Sequence, residues 1–181
     1  LEKVEKQTFR ASRIVSNLLE FARKPGVERR PVDLASLLAD TSDLLRERLT
    51  ARSVRLAFVR PADAVRVIGS EGELQQVFTN LMLNAIDAMA PNGGTLTIAV
   101  ERAERVVRVA ISDEGPGIPD EWRERIFEPY ARRDTHTARG SGIGLYAAKR
   151  LGESMGARLW CEPARPHGAR FVVALPAAVA I

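Results

Sequence analysis

The sequence is poor in the residues that build disulfide frameworks, metal centres and base-stacking surfaces. It contains one cysteine, Cys161, and two histidines among 181 residues, which excludes an internal disulfide and argues against a cysteine- or histidine-rich metal centre. Aromatic residues make up 6% of the chain, too few for a surface that stacks on nucleic-acid bases. The longest apolar runs, such as Phe171 to Leu175, are far shorter than a bilayer is thick. We therefore expect no membrane segment in this chain.

The charge of the chain is modestly basic, with positive and negative residues mixed. Twenty-seven Lys and Arg against 23 Asp and Glu give a net charge of +4. Scattered arginines without aromatic neighbours do not form the basic stripe of a dedicated nucleic-acid-binding domain. We expect no nucleic-acid partner, whereas an anionic small ligand or an acidic protein partner fits this charge.

The first 24 residues predict one long helix. A strict heptad of small and apolar side chains runs through Leu1, Val4, Thr8, Ala11, Val15, Leu18 and Ala22. Such a helix can belong to the core of the same domain, or it can be half of a helical hairpin that pairs with a second chain. The regular heptad, followed by Pro25 and Gly26, favours the hairpin. We predict a hairpin helix over residues 1–26, a linker over 27–32 and one domain over 33–181.

The rest of the chain alternates between helical and strand-like patterns. Asp33 and Ser70 are the predicted N-caps of two helices, which end near Ala51 and Met89. Further elements are predicted at Val54–Val59, Val65–Ile68, Thr95–Glu101, Val106–Ser112, Ala157–Cys161 and Ala169–Leu175 (strands), and at Pro119–Ile126 and Ile143–Met155 (helices). This order predicts an α/β fold in which helices cover one face of a mixed sheet.

Three polar residues lie on one face of the helix that follows Ser70. Asn80, Asn84 and Asp87 recur at i, i+4 and i+7, within an otherwise apolar segment. Amides and carboxylates need partners when they are buried. A structural hydrogen-bond network can supply these partners, and so can Mg²⁺, which prefers oxygen ligands. The face is therefore a candidate ligand site, although the motif alone is weak.

A second feature is the segment from Asp113 to Ile118, which directly follows a predicted strand. Gly115 and Gly117 allow the backbone to come close to a flat ligand, and Asp113 places an acceptor at the strand end. A carboxylate there can accept a hydrogen bond from an exocyclic amine such as that of adenine. A plain turn with an aspartate cap explains the same residues.

Two more features follow, around a segment with few apolar residues. Phe127 and Tyr130 stand at the start of this segment, and glycines open the helix after it, in the run Gly140-Ser141-Gly142-Ile143-Gly144-Leu145. Backbone N–H groups at a helix start attract phosphate. The run is not a P-loop, because no Gly-Lys-Ser/Thr follows, and not a dinucleotide fingerprint, because it follows a loop.

Taken together and in this order, the four features resemble the ATP-binding domain of the sensor histidine kinases. That family is part of the group that also contains gyrase, MutL and the heat-shock chaperone ATPases. The resemblance covers roughly Asp33 to Pro176 and implies the Bergerat-type fold, a two-layer sandwich of helices on a mixed, mainly antiparallel sheet. The helix Leu1 to Lys24 resembles the second helix of the dimerisation hairpin of the family.

The resemblance implies roles for individual residues. Asn84 matches the ligand of the Mg²⁺ that bridges the ATP phosphates, and Asn80 lines the same site, so that both are expected to be catalytic. Asp113 matches the carboxylate that reads the adenine amino group. The remaining expected nucleotide contacts are Asp87, Gly115, Gly117, Ile118, Phe127, Arg132, Arg133, Arg139, Gly140, Ser141, Gly142, Ile143, Gly144 and Leu145.

The sequence also departs from the family pattern. Many members carry a lysine and then an aromatic residue three and four positions after the second asparagine, where this chain has Asp87 and Ala88. The segment after Asn84 resembles the nitrogen-regulation-type subgroup. An arginine of the segment from Phe127 to Ser141, which matches the lid of the family, is expected to replace the lysine. Neither His136 nor His167 has the context of a phosphoacceptor, so both are interpreted as structural or solvent-facing.

The predicted function is to position Mg-ATP for γ-phosphoryl transfer to a histidine outside these residues, for relay to the aspartate of a response regulator. The cofactors are ATP and Mg²⁺. The expected partners are the receiver domain of a response regulator and the chain's own dimerisation hairpin. The expected location is the cytoplasm, and the parent protein can be anchored in a membrane. Two other functions stay open. One is a gyrase-type ATPase, which Asn80 argues against because an amide cannot take a proton from water. The other is a nucleotide sensor or scaffold that has lost transfer.

Overall fold

The computed structural model describes residues 28–61, 63–131 and 142–178. The predicted hairpin helix over residues 1–26 lies outside these residues. So do residues 132–141, which form most of the loop between Phe127 and Gly144 that contains glycines and arginines (the glycine- and arginine-containing loop). The elements are β1 (Arg30–Asp33), α1 (Leu34–Leu44), α2 (Arg46–Ala51), β2 (Val54–Val59), β3 (Arg66–Gly69), α3 (Glu71–Ala88), β4 (Gly94–Ala103), β5 (Val106–Ser112), α4 (Gly144–Ser154), β6 (Arg158–Pro163) and β7 (Ala169–Pro176).

Five strands form the main sheet, in the order β2-β4-β5-β7-β6. The strand β2 pairs with β4 in parallel, and the other three pairs are antiparallel. The sheet is therefore mixed and mainly antiparallel, as predicted. A separate two-stranded sheet joins β1 to β3, and a bridge from Val67 to Ala177 ties it to the end of β7.

The core lies between this sheet and the helices. Alternate residues of the central strands are buried, for example Leu96, Ile98, Val109 and Phe171, because successive side chains of a strand point to opposite faces. From the helical layer they meet buried residues of the long helix α3, namely Leu74, Val77, Phe78, Leu81, Met82 and Ile86. The Bergerat-type fold that the resemblance implied is confirmed.

Both predicted helix caps are present. The Asp33 carboxylate accepts a hydrogen bond from the Ser36 N–H at 3.0 Å, and the Ser70 hydroxyl accepts one from the Glu73 N–H at 3.4 Å. Each satisfies a donor that the first helical turn leaves unpaired. The cap at Ser70 sets where α3 begins, and therefore which face of α3 its asparagines occupy.

Three predictions about local structure are corrected. The single helix expected from Asp33 to about Ala51 is two helices, Leu34–Leu44 and Arg46–Ala51, because at Leu45 the N–H bonds to the Ser42 carbonyl oxygen, three residues back, and ends the first helix. Residues 27–32 were expected to be a linker, but Arg30–Asp33 is a strand that pairs with Arg66–Gly69, because β3 offers an unpaired edge. The helix expected over Pro119–Ile126 is instead two 3₁₀ turns, Asp120–Trp122 and Arg125–Phe127. The N–H groups of this segment bond three residues back, Trp122 to Pro119 and Phe127 to Glu124, which closes 3₁₀ turns in place of α-helical ones.

Candidate functional site

The carboxylate at the end of β5 is the most buried charged group that the sequence singled out. Asp113 is 2% exposed. Its Oδ1 accepts hydrogen bonds from the Gly115 N–H at 2.9 Å and the Ala169 N–H at 3.2 Å. Its Oδ2 is buried and has no hydrogen-bond partner in the structure. Buried polar atoms are nearly always satisfied, so this oxygen is a candidate acceptor for a ligand donor.

Burial sets the protonation of this group. Removal from water raises the pKa of Asp113 above its ordinary value of 3.8, and the N–H groups of Gly115 and Ala169 partly offset this shift because they stabilise the anion. A donor on a bound ligand that reaches Oδ2 would favour the anion further. The buried Cys161 thiol has its pKa raised to about 12, mainly by burial, so it stays a neutral thiol that fills space.

Glycines surround Asp113 because other residues do not fit there. A Cβ on Gly168 would lie 1.8 Å from the Asp113 carbonyl oxygen, and a Cβ on Gly115 would lie 2.9 Å from Asp113 Oδ1 and 3.1 Å from the Ala88 carbonyl oxygen. Gly117 and Gly168 also have positive φ angles, of 73° and 104°. The loop after β5 is thus held against the end of α3 on one side and the turn before β7 on the other.

The polar face of α3 combines one buried amide with two groups near the surface. Asn80 is 1% exposed, and its Nδ2 is buried with no hydrogen-bond partner in the structure. Asn84 and Asp87 are half-buried. Asp87 Oδ1 accepts a hydrogen bond from Arg48 Nη2 of α2 at 2.7 Å. The three residues therefore lie along one helix, α3, and the last of them, Asp87, is paired with the guanidinium of Arg48.

The donors on this face fit a magnesium ion only as part of a larger ligand set. Among the described residues no group of three or more His, Cys, Asp and Glu side chains could hold a metal. Mg²⁺ commonly takes one or two protein oxygens and completes its six ligands with water and substrate phosphates. The half-buried Asn84 can supply one such oxygen. The unpartnered atom of Asn80 is its Nδ2, a donor that suits a phosphate oxygen or a water and not the ion itself. The residues therefore fit an ion that arrives with a nucleotide.

The apolar residues expected at the site pack beside the Asp113 loop. Phe127 is 5% exposed and meets Phe171 of β7 edge to face, with ring centroids 6.3 Å apart. The Nζ of Lys149, in α4, lies over the Phe127 ring, 5.3 Å from the ring centroid. Ile118 packs against the core. Phe127 is therefore held in place by packing at the start of the loop, while its contact with a nucleotide stays a prediction.

The described ends of the glycine- and arginine-containing loop meet each other. The Tyr130 N–H donates to the Gly142 carbonyl oxygen at 3.0 Å. Gly142 has a φ of 70°, and a Cβ there would lie 3.0 Å from the Tyr130 Cα. Helix α4 begins at Gly144, two residues later, and Ile143 and Leu145 flank its start. The other expected contacts, Arg132, Arg133, Arg139, Gly140 and Ser141, lie outside the described residues.

Two contributors were missed by the sequence analysis. The Ala169 N–H reaches Asp113 from a strand 56 positions later, and Arg48 reaches Asp87 across 39 positions. No local pattern signals either contact, because each joins segments that are far apart in the chain. His167 is exposed, in agreement with its interpretation as solvent-facing, and His136 lies outside the described residues.

The chain is similar to ATPases and to sensor kinases. A family model described as Histidine kinase-, DNA gyrase B-, and HSP90-like ATPase matches residues 69–179. The two-component sensor PprA of Pseudomonas aeruginosa is 34% identical over 98% of this chain and 20% of its own length. The sensor histidine kinase ZraS of Klebsiella oxytoca is 31% identical over 94% of this chain and 36% of its own length. The chain thus spans roughly a fifth to a third of these relatives.

Solved structures show the same likeness. Full-length ShkA in complex with AMPPNP superimposes with a TM-score of 0.79 at 27% identity, over 92% of this chain and 35% of ShkA. The histidine kinase ThkA in complex with the response regulator protein TrrA superimposes with a TM-score of 0.79 at 26% identity, over 97% of this chain and 49% of that one. In the described part of this chain, no helix is long and apolar enough to cross a membrane.

Proposed function

Because the chain belongs to the Histidine kinase-, DNA gyrase B-, and HSP90-like ATPase family and is a sensor histidine kinase ATP-binding domain, we propose that it positions Mg-ATP for transfer of the γ-phosphoryl group to a histidine. That histidine lies outside these 181 residues, and a receiver-domain aspartate accepts the phosphoryl group in turn. The observation that carries the proposal is the buried, unpartnered Oδ2 of Asp113 at the mouth of a glycine-walled loop.

Asp113 is the residue that selects the base. Its Oδ1 is occupied by two backbone N–H groups, so only Oδ2 faces a ligand, and a carboxylate oxygen accepts but does not donate. Adenine presents an amino group, which donates, where guanine presents a carbonyl oxygen. The fixed carboxylate therefore favours ATP over GTP. Gly115 and Gly117 let the loop beside Asp113 pack closely, because a Cβ on either would meet the backbone of Ala88 or Gly168. Ile118 and Phe127 supply the apolar side of the proposed site.

Asn84 and Asn80 form the phosphate end. Asn84 would hold, through its amide oxygen, a magnesium ion bound with the nucleotide, and such an ion would supply neutralisation of phosphate charge. Asn80 lies one helical turn earlier, and its buried amide lines the same site. Neither amide takes a proton from water, which favours transfer to a side chain over steady hydrolysis. The backbone N–H groups of residues 140–145, with Arg132, Arg133 and Arg139, contact the phosphates.

Several finer features belong to the same proposal. The helix Leu1 to Lys24 pairs into a dimerisation hairpin, and the segment after Asn84 places the chain in the nitrogen-regulation-type subgroup. The domain works in the cytoplasm, where ATP is available, whether or not its parent is anchored in a membrane. These points are supported by the heptad in residues 1–24, by the sequence of the segment after Asn84 and by the similarity to a two-component sensor.

The test is a calorimetric titration of the chain with a non-hydrolysable ATP analogue, with and without Mg²⁺. Saturable binding that Mg²⁺ strengthens is expected, and GTP should compete poorly. Absence of binding by a chain with a cooperative thermal transition would contradict the nucleotide site and bring the scaffold function forward. An ATP-hydrolysis assay on the same sample distinguishes a gyrase-type ATPase, which would turn over ATP steadily without a phosphoacceptor.

A further inference from the structure

The guanidinium of Arg48, a residue of α2, contacts Asp87 at the end of the polar face of α3. We propose that Arg48 is a polyphosphate-binding residue of the nucleotide site, and that Asp87 is the positioning residue that holds its guanidinium there. The inference rests on the proposed nucleotide function. It replaces the expectation that an arginine of the lid alone makes up for the lysine missing from position 87.

The placement of Asp87 within α3 is the first step. It lies about one turn after Asn84, on the face shared with Asn80. The carbonyl oxygen of the next residue, Ala88, lies where a Cβ on Gly115 would approach to 3.1 Å. Asp87 is therefore in the helical turn that connects the proposed metal ligand, Asn84, to Ala88, the residue that the loop after β5 approaches. In the proposed site, the nucleotide passes from base to phosphates along this turn.

The geometry of the ion pair is the second step. Arg48 Nη2 lies 2.7 Å from Asp87 Oδ1, and the side chains are 30% and 25% exposed. Both are thus partly shielded from water yet close to the surface. A guanidinium is a planar group with five N–H donors, so one edge can hold a carboxylate while another binds phosphate. Charge-assisted bonds of this kind are stronger than neutral ones.

Charge supplies the third step. A carboxylate at position 87 without a cation would repel a triphosphate bound along the same face. Arg48 cancels that charge and presents donors in its place. The sequence of α3 carries no Lys or Arg at all, so a cation on this face has to come from another element, and α2 provides it.

The experiment compares Arg48→Ala with Arg46→Ala in the full 181-residue chain. Arg46 is a matched control because it belongs to the same helix α2 and also pairs with an aspartate, Asp43, but both of these side chains are exposed and neither belongs to α3. Binding of a non-hydrolysable ATP analogue and of AMP is measured by calorimetry. Arg48→Ala is expected to raise the Kd for the ATP analogue roughly tenfold, while the Kd for AMP changes no more than about twofold. Arg46→Ala should change neither.

Two further variants separate phosphate binding from simple neutralisation. Asp87→Asn removes a negative charge, so pure neutralisation predicts tighter binding of the ATP analogue, whereas loss of a positioning residue predicts weaker binding. Arg48→Ala combined with Asp87→Lys returns a cation to α3 and is expected to restore most of the affinity. The proposal is overturned if Arg48→Ala weakens AMP and the ATP analogue equally, if it weakens neither, or if Asp87→Asn binds more tightly. If the wild type itself binds no nucleotide, the proposed function has failed instead.

Discussion

The two ends of the candidate site are built in different ways. At the base end, Asp113 is almost fully buried and its position is fixed by backbone N–H groups of the next loop and of β7. At the phosphate end, Asn84, Asp87 and Arg48 are half-buried side chains on helix surfaces. The base end is therefore formed before any ligand binds, whereas the phosphate end depends on side chains that a ligand and its metal can still reorient.

This difference has a physical reason. Adenine is flat and uncharged, so a rigid slot with one fixed acceptor recognises it at little entropic cost. A phosphoryl group carries charge that shifts during transfer, and side chains with bound metal can follow it. We expect substitutions at the base end to act on stability as well as binding, and substitutions at the phosphate end to act mainly on binding.

The largest expected effect tests how rigid the base end is. Gly168→Ala places a Cβ against the Asp113 carbonyl oxygen at a φ of 104°, so overpacking and backbone strain add. A loss of about 4 kcal/mol in the free energy of unfolding is expected, measured by urea denaturation. Gly72→Ala is the matched control, since nothing lies within 4 Å of its Cβ and it sits in a helix. It should stabilise the chain by about 0.5–1 kcal/mol. Equal effects of the two variants would contradict the close approach at Gly168.

A second prediction separates binding from folding at Asp113 itself. Asp113→Asn keeps an acceptor for the Gly115 and Ala169 N–H groups but replaces Oδ2 by an amide donor, which opposes the adenine amino group. The affinity for an ATP analogue should fall by about 1–3 kcal/mol, and the preference for ATP over GTP should shrink. Calorimetric competition with both nucleotides measures this. Unchanged affinity and preference would remove Asp113 from the base-reading role.

The third prediction concerns the phosphate end. Asn84→Ala removes the proposed metal ligand, so the gain in nucleotide affinity that Mg²⁺ provides should fall roughly tenfold, or about 1.4 kcal/mol. Thermal stability should change little, because the side chain is only half-buried. The measurement is the ratio of Kd values with EDTA and with Mg²⁺. A variant that loses as much affinity on chelation as the wild type does would contradict the ligand assignment.

The smallest effect is a pH dependence of stability. The pKa of Asp113 is raised in the folded chain, so the folded state holds this proton more tightly than the unfolded one. Its contribution to the free energy of unfolding is therefore most favourable at low pH and is lost as pH rises through the folded-state pKa. The Asp113→Asn variant has no carboxyl group to titrate, so it does not lose this contribution to stability as pH rises. The stability of the variant relative to the wild type should be greatest at neutral pH and should decrease as pH falls toward 3.8. A pH-independent difference would mean that burial does not govern this group.

Much of the fold was predictable because its signals are local. The alternation of Val54–Val59 and Val106–Ser112 gave both strands at their observed bounds, and the caps at Asp33 and Ser70 gave the starts of two helices. Local signals failed at Arg30–Asp33, which became a strand because β3 offered a partner. They also failed at Leu45, where one predicted helix divides into two, and at Pro119–Ile126, which forms two 3₁₀ turns.

The sequence by itself determined the order of the elements, the polar face of α3 and the position of an acidic residue directly after β5, because periodicity and capping act within a few residues. Only the tertiary structure decided that one oxygen of Asp113 is occupied and the other is open, that Gly168 packs against that residue, and that Arg48 meets Asp87. Each of these contacts joins elements 39 to 56 positions apart, where the packing of the sheet and helices sets distances that no local pattern encodes.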